Sequence, residues 1–303
     1  MSRVAALVAL VMTTATAVLA QEGGTFRAAT RLVLLQATVI DGHGVPVTNL
    51  DRDAFTVFEN RKRQPIEVFR REDVPVSIGL LIDNSGSMRT LRAKVEAAAL
   101  AFARASNPMD ELCVVNFADK VDLDIPFTSD LTVLERRIAR VDSIGGTALW
   151  DAINTAQSYV GDHATRPRTV LLVITDGNDN ASVARSRQVV RQAQRREIVV
   201  DAVGLFGSNV STAARGRHEL ERLTQETGGS AFFPDDVDQI NVVMLELARQ
   251  IRNQYVIAYS PLNQTMDGSY RTIQLTAQRG HDQFTVRTRR GYLASADERT
   301  IQP

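Results

Sequence analysis

The run VSIGLLID at residues 76–83 constrains the fold more than any other feature of the sequence. Seven apolar or small residues precede one acid, with none of the polar alternation of a half-exposed strand. Such a strand is covered on both faces, the situation of a parallel sheet with helices packed on each side. TVLLVIT (169–175) and IVVDAVGLF (198–206) have the same character, as does most of ELCVVNFA (111–118). Helical periodicity fills the intervals. Met88, Leu91, Val95, Ala98, Ala99 and Phe102 fall on one face, and further helices are predicted over 131–141, 148–159, 183–196 and 218–227. The last helix carries Ile240, Val243, Met244, Leu247, Ala248 and Ile251 on one stripe, behind the capping acids Asp235, Asp236 and Asp238. Strand–helix alternation over 75–252 therefore predicts an α/β fold, a doubly wound, Rossmann-like parallel sheet with right-handed crossovers.

The segments on either side read differently. RLVLLQATVI, AFTVFE and PIEVFR, within 27–73, are short β runs separated by the turns DGHG and NRKRQ. After the α/β segment, 254–294 returns to β pattern in QYVIAYS, YRTIQLTAQ and FTVRTRRGYLA. Two or three strands are marginal alone, so the two flanks are expected to pair as one small β-sandwich into which the α/β domain is inserted.

Residues 1–20 are expected to be a signal peptide: Arg3 precedes the apolar run Val4–Leu19, and Val18-Leu19-Ala20 offers small residues at a cleavage site. No other apolar run reaches the length of a membrane span, so the expected mature chain has no transmembrane segment and is extracytoplasmic, periplasmic or secreted. With 35 basic and 35 acidic residues the net charge is zero, which provides no general attraction for nucleic acid or anionic membrane. The single cysteine, Cys113, excludes internal disulfides and cysteine-based zinc clusters, and sits in an apolar strand as a small buried hydrophobe. The arginines of 185–196 have no interleaved aromatic residues and read as a solvated helix face. The four histidines fall in separate segments, which argues against a zinc or catalytic role.

Ligands of open parallel sheets bind beyond the carboxyl ends of the strands, and there the polar residues gather. Asp83-Asn84-Ser85-Gly86-Ser87 ends one strand, Asp176-Gly177 ends another, and Gly145-Gly146-Thr147 opens a helix. Asp83, Ser85, Ser87, Thr147 and Asp176 are five hard oxygen donors with two negative charges, suited to a Mg2+ ion that keeps several waters and a position open to an incoming carboxylate. Mn2+ or Ca2+ would also fit. Either aspartate alone could instead be a helix cap.

At these residues the chain resembles the von Willebrand factor type A family. Asp83-Asn84-Ser85-Gly86-Ser87, Thr147 and Asp176-Gly177 are similar to the three segments of its metal-ion-dependent adhesion site. More loosely, Asp41-Gly42-His43-Gly44 and 50–59 resemble bacterial proteins with related domains. The resemblance implies a metal-dependent binding module that grips an Asp or Glu side chain of a protein partner. Two other classes compete with it: a structural scaffold of the envelope with a non-functional metal site, and a metal-assisted hydrolase. Against the hydrolase, the sequence has no G-x-S-x-G elbow, no histidine near Ser85 or Ser87, and no second acid adjacent to Asp83. A non-enzymatic role is therefore expected.

Overall fold

Alternating β-branched and aromatic residues shape the first part of the chain. They form β1 (Val33–Ile40), β2 (Phe55–Glu59), β3 (Lys62–Gln64) and β4 (Val68–Arg70). The computed structural model describes residues 32–71, 73–138, 144–176, 179–206 and 210–295, with the backbone alone for 210–212. The expected signal peptide and Gly177 lie outside the described residues. β2 and β3 reverse at Asn60 and Arg61, whose φ angles of 46° and 65° are those of a two-residue hairpin. NRKRQ is thus part turn and part strand.

The α/β segment follows in the expected alternation: β5 (Val76–Asp83), α1 (Arg92–Ala105), β6 (Glu111–Phe117), β7 (Val121–Thr128), α2 (Leu131–Arg137), α3 (Leu149–His163) and β8 (Arg168–Thr175). It continues with α4 (Ser186–Arg195), β9 (Val199–Gly204), α5 (Val210–Thr227), β10 (Ala231–Phe232) and α6 (Ile240–Arg252). The sheet order is β10-β9-β8-β5-β6-β7, parallel throughout except for the antiparallel pair β6–β7. This is the doubly wound α/β fold. β7 has no counterpart in the sequence expectation. Its Val121, Leu123, Ile125 and Phe127 alternate as a strand should, but Asp122, Asp124 and Pro126 depress its strand propensity. An edge position tolerates them.

The pleat of β5 sends Ile78, Leu80 and Ile82 to a core shared with α1, α2 and α6, and Leu81 to one shared with α3, α4 and α5. Gly79 lies under α3, where a Cβ would come 2.5 Å from Leu171 Cδ2 and 3.4 Å from Val160 Cγ2. No helix among the described residues is long and apolar enough to cross a membrane. The expected acidic cap acts one turn ahead of α6: the Asp236 carboxylate accepts the Asp238 N–H (2.9 Å) in a 3-10 turn that runs into the helix.

The chain then enters β11 (Tyr255–Tyr259), β12 (Tyr270–Arg279), β13 (Asp282–Arg287) and β14 (Gly291–Leu293). These interleave with the first four strands. β1 pairs with β11 along Val33–Ala37 and with β13 along Thr38–Ile40, while β2 pairs with β12. The path β3-β2-β12-β13-β1-β11-β4 is continuous, with β14 beside β12. Its two ends converge on a common core, where the rings of Phe55 and Phe69 lie 5.5 Å apart and Tyr255 packs against both. The sandwich expected from the flanks is thus one antiparallel sheet wrapped on itself. The Arg252–Asp73 ion pair (2.8 Å) ties the two chain crossings between this sheet and the α/β body.

Inside the wrapped sheet lies a buried acid. Glu59 accepts from Tyr259 Oη and Tyr292 Oη at 2.9 Å each and pairs with Arg271 at 3.2 Å, all four side chains being nearly inaccessible. Burial and the Glu59 charge push the Tyr259 phenol up, so it stays a proton donor. Removing one member of a buried pair leaves the other uncompensated, at a cost of about 3 to 5 kcal/mol. Glu59→Ala is therefore expected to lower stability by about that amount, read by urea unfolding; a loss below about 1 kcal/mol would show that Arg271 is adequately served by its carbonyl contacts with Asn263 and Thr265.

Candidate metal centre

The strand order places the candidate site. β5 connects onward to β6 on one side, whereas β8 joins it on the other, so the loops after β5 and β8 diverge at the carboxyl edge and leave a crevice. Asp83 is the last residue of β5 and is 1% exposed. Its carboxylate accepts the Ser85 N–H (2.8 Å) on one oxygen and the Thr175 hydroxyl (2.6 Å) on the other. The chain then turns into a short 3-10 helix, Gly86–Thr90, with Met88 plugged into the core and Ser87 left exposed. Ser85 Oγ lies 3.2 Å from Ser87 Oγ, which donates to Asp176 Oδ1 at 3.0 Å. Four of the five predicted residues thus form one hydrogen-bonded chain.

Thr147 joins through its backbone. It is buried just ahead of α3, its N–H donates to Asn180 Oδ1 (2.8 Å), and its carbonyl accepts the Asn180 and Ala181 N–H groups. The Gly86 N–H donates to Gly145 O (3.1 Å), which fastens the Thr147 loop to the serine turn. Gly145 has φ +96°, and a Cβ there would stand 2.3 Å from Asp119 Oδ2. The two glycines are small because Asp119 folds over them, accepting the Gly146 N–H at 2.7 Å.

The supporting residues were not visible as a motif. Thr175 precedes Asp176 inside an apolar strand, and Asn180 and Asp119 are distant in sequence from the loops they hold. Asn84 likewise braces the turn, its N–H on Phe117 O and its side-chain amide donating to Asn116 Oδ1 (2.7 Å). Cys113 is a buried packing group as expected, its thiol pushed up to about 12 by burial, and Trp150 is buried in the same core.

Electrostatically the two acids of the site act on one another. Burial raises the pKa of Asp83 against the lowering effect of the Thr175 and Ser85 donors. Asp176 is raised to about 6, first by burial and then by the negative charge of Asp83. The chemistry of the donors suits a small hard cation, and the separations of 3.2 Å between the Ser85 and Ser87 hydroxyls and 3.0 Å from Ser87 to Asp176 are close to the edge of about 3.0 Å of an octahedron with bonds of about 2.1 Å.

Residues 78–178 match the family model described as von Willebrand factor type A domain. No curated protein matches the chain. Among solved structures, a von Willebrand factor type A protein from Catenulispora acidiphila is 11% identical with a TM-score of 0.52, the match covering 88% of this chain and 74% of that one. Proximal thread matrix protein 1 from the mussel byssus is 16% identical with a TM-score of 0.50, covering 64% and 51%. The von Willebrand factor domain of the type V pili tip protein Mfa5 from Porphyromonas gingivalis is 11% identical with a TM-score of 0.49, covering 59% and 95%. At these identities the first two likenesses establish the fold.

The Thr175 hydroxyl reaches Asp83 from the neighbouring strand. Thr175→Val keeps the shape and strands a buried carboxylate oxygen, which costs about 1 to 3 kcal/mol. A thermal-unfolding scan in EDTA is expected to show that loss, and an unchanged midpoint would remove Thr175 from the set of groups that hold Asp83.

Proposed function

We propose that this von Willebrand factor type A domain is the binding part of an extracytoplasmic, non-enzymatic interaction protein. In this reading a divalent ion, Mg2+ by preference, is held by Asp83, Ser85, Ser87, Thr147 and Asp176, and grips an Asp or Glu side chain of a protein partner. One observation carries it: two mutually repelling acids, the deeper of them 1% exposed, share a hydroxyl-lined crevice at the carboxyl edge of the sheet. A hard divalent ion relieves that repulsion and offers an electrophilic position to an anionic ligand.

The protein's own residues divide the work. Asp83 and Asp176 provide charge, while the hydroxyls of Ser85, Ser87 and Thr147 add neutral donors, so the ion keeps a net positive field toward an incoming carboxylate. Thr175, Asn180 and Asp119 position these groups. Ile144, 66% exposed beside the serine turn, gives the partner an apolar contact next to the polar one. The segments that form the site contain no histidine and no nucleophile elbow, which favours holding a ligand over turning it over. The leader-like residues 1–20 support export, and the strand exchange between 27–73 and 254–294 supports reading the flanks as one supporting domain.

Calorimetric titration with Mg2+ tests the ion. Asp83→Ala and Asp176→Ala are each expected to abolish the heat of binding while the circular dichroism spectrum stays that of the wild type. Thr147→Ala is expected to weaken binding less, because water can replace a hydroxyl. Wild-type affinity in either aspartate variant would overturn the assignment. The partner is tested by retention of envelope proteins on the immobilised chain in Mg2+, with release by EDTA and no retention by Asp83→Ala; retention that ignores both would separate partner binding from this site.

A further inference from the structure

A cavity of about 320 Å3 lies at the other end of the parallel sheet, where the α/β body meets the wrapped sheet. Its lining includes Leu34 and Gln36 of β1, Val160 at the end of α3, and three arginines, Arg166, Arg196 and Arg289, against one acid, Glu197. Enclosed spaces of this size hold small molecules. The acid is already engaged: Glu197 Oε1 pairs with Arg289 Nη2 at 2.9 Å. That leaves the cavity with an excess of positive charge.

The donors are also unsatisfied. The Arg289 side chain is 9% exposed, and its Nε and Nη1 have no hydrogen-bond partner among the described residues. Arg166 Nε and Gln36 Oε1 are likewise buried without a hydrogen-bond partner among the described residues. Buried guanidinium donors without acceptors are costly, and the planar fork of arginine matches a carboxylate. Between these polar points the surface is aliphatic, with Leu34 and Val160 facing the space. Arg196 is solvent-exposed and marks the rim. A bare inorganic anion would answer the arginines and leave the aliphatic wall unused. We infer that this cavity binds a small organic acid, with its carboxylate on Arg289 and Arg166 and an apolar body along Leu34 and Val160. The site is separate from the candidate metal centre and does not depend on it.

The experiment is calorimetric titration of the full chain with octanoate, phenylacetate, octan-1-ol and inorganic phosphate, with and without EDTA. At least one of the two carboxylates is expected to bind at one site per chain, to raise the unfolding temperature and to be indifferent to EDTA, while octan-1-ol and phosphate bind at least about tenfold more weakly. Arg289→Met retains the apolar stem and is expected to lose at least about tenfold in affinity. If the loss of the Glu197 pair unfolds that variant, Arg166→Gln is expected to show the same loss. The inference is overturned if neither carboxylate gives saturable heat, if octan-1-ol or phosphate binds as well as the acids, or if the folded arginine variants bind like the wild type.

Discussion

A carboxylate at 1% exposure is tolerable only if its oxygens are bonded and its charge is answered. For Asp83 the first condition is met inside the chain, by the Ser85 N–H and the Thr175 hydroxyl. On the second, the charge of Asp83 bears on another acid, Asp176, and raises it. Much of the carboxyl edge follows from this. The serine turn, the glycine pair folded under Asp119, and the Asn84 and Asn180 braces all hold neutral oxygens and N–H groups around two negative charges. The sheet contributes position: the central strand delivers Asp83 and its neighbour delivers Asp176, at the point where connections leave in opposite directions.

The wrapped sheet solves the same problem differently. Glu59 is buried to a similar degree, but Arg271 and the hydroxyls of Tyr259 and Tyr292 meet it from three other strands. Its charge is answered internally, so it serves as a staple between the flanks. A buried acid with a cation partner organises a core, whereas two acids, one raised by the other, suit the proposed cation site.

The α/β body was legible because uninterrupted apolar strands and helical stripes are strong signals, and Asp83, Ser85, Ser87 and Asp176 were legible because strand ends collect ligand donors. Thr147 was legible as a hydroxyl at the start of a helix; its place is set by Asn180, some thirty residues on, through backbone contacts that no local pattern encodes. β7 was missed since its acids and proline are penalised by propensity, while its edge position, which excuses them, is a tertiary fact. The closure of the flanks into a single wrapped sheet depends on pairings more than 200 residues apart in the chain, such as Val33 with Tyr259. Short β runs mark such strands without specifying their order.

β5 has a further consequence in mechanical terms. It begins next to the crossing from the wrapped sheet and ends in Asp83, so one strand of eight residues, about 26 Å long, joins the wrapped sheet to the carboxyl edge. Along that length it is bonded in register to β6 on one side and β8 on the other. Tension between something held at Asp83 and the flanking sheet runs along the strand axis and loads both ladders in shear. The bonds of a sheared ladder share the load and must yield together, whereas a strand peeled from its edge loses them one at a time. The geometry that buries β5 also makes it a tether.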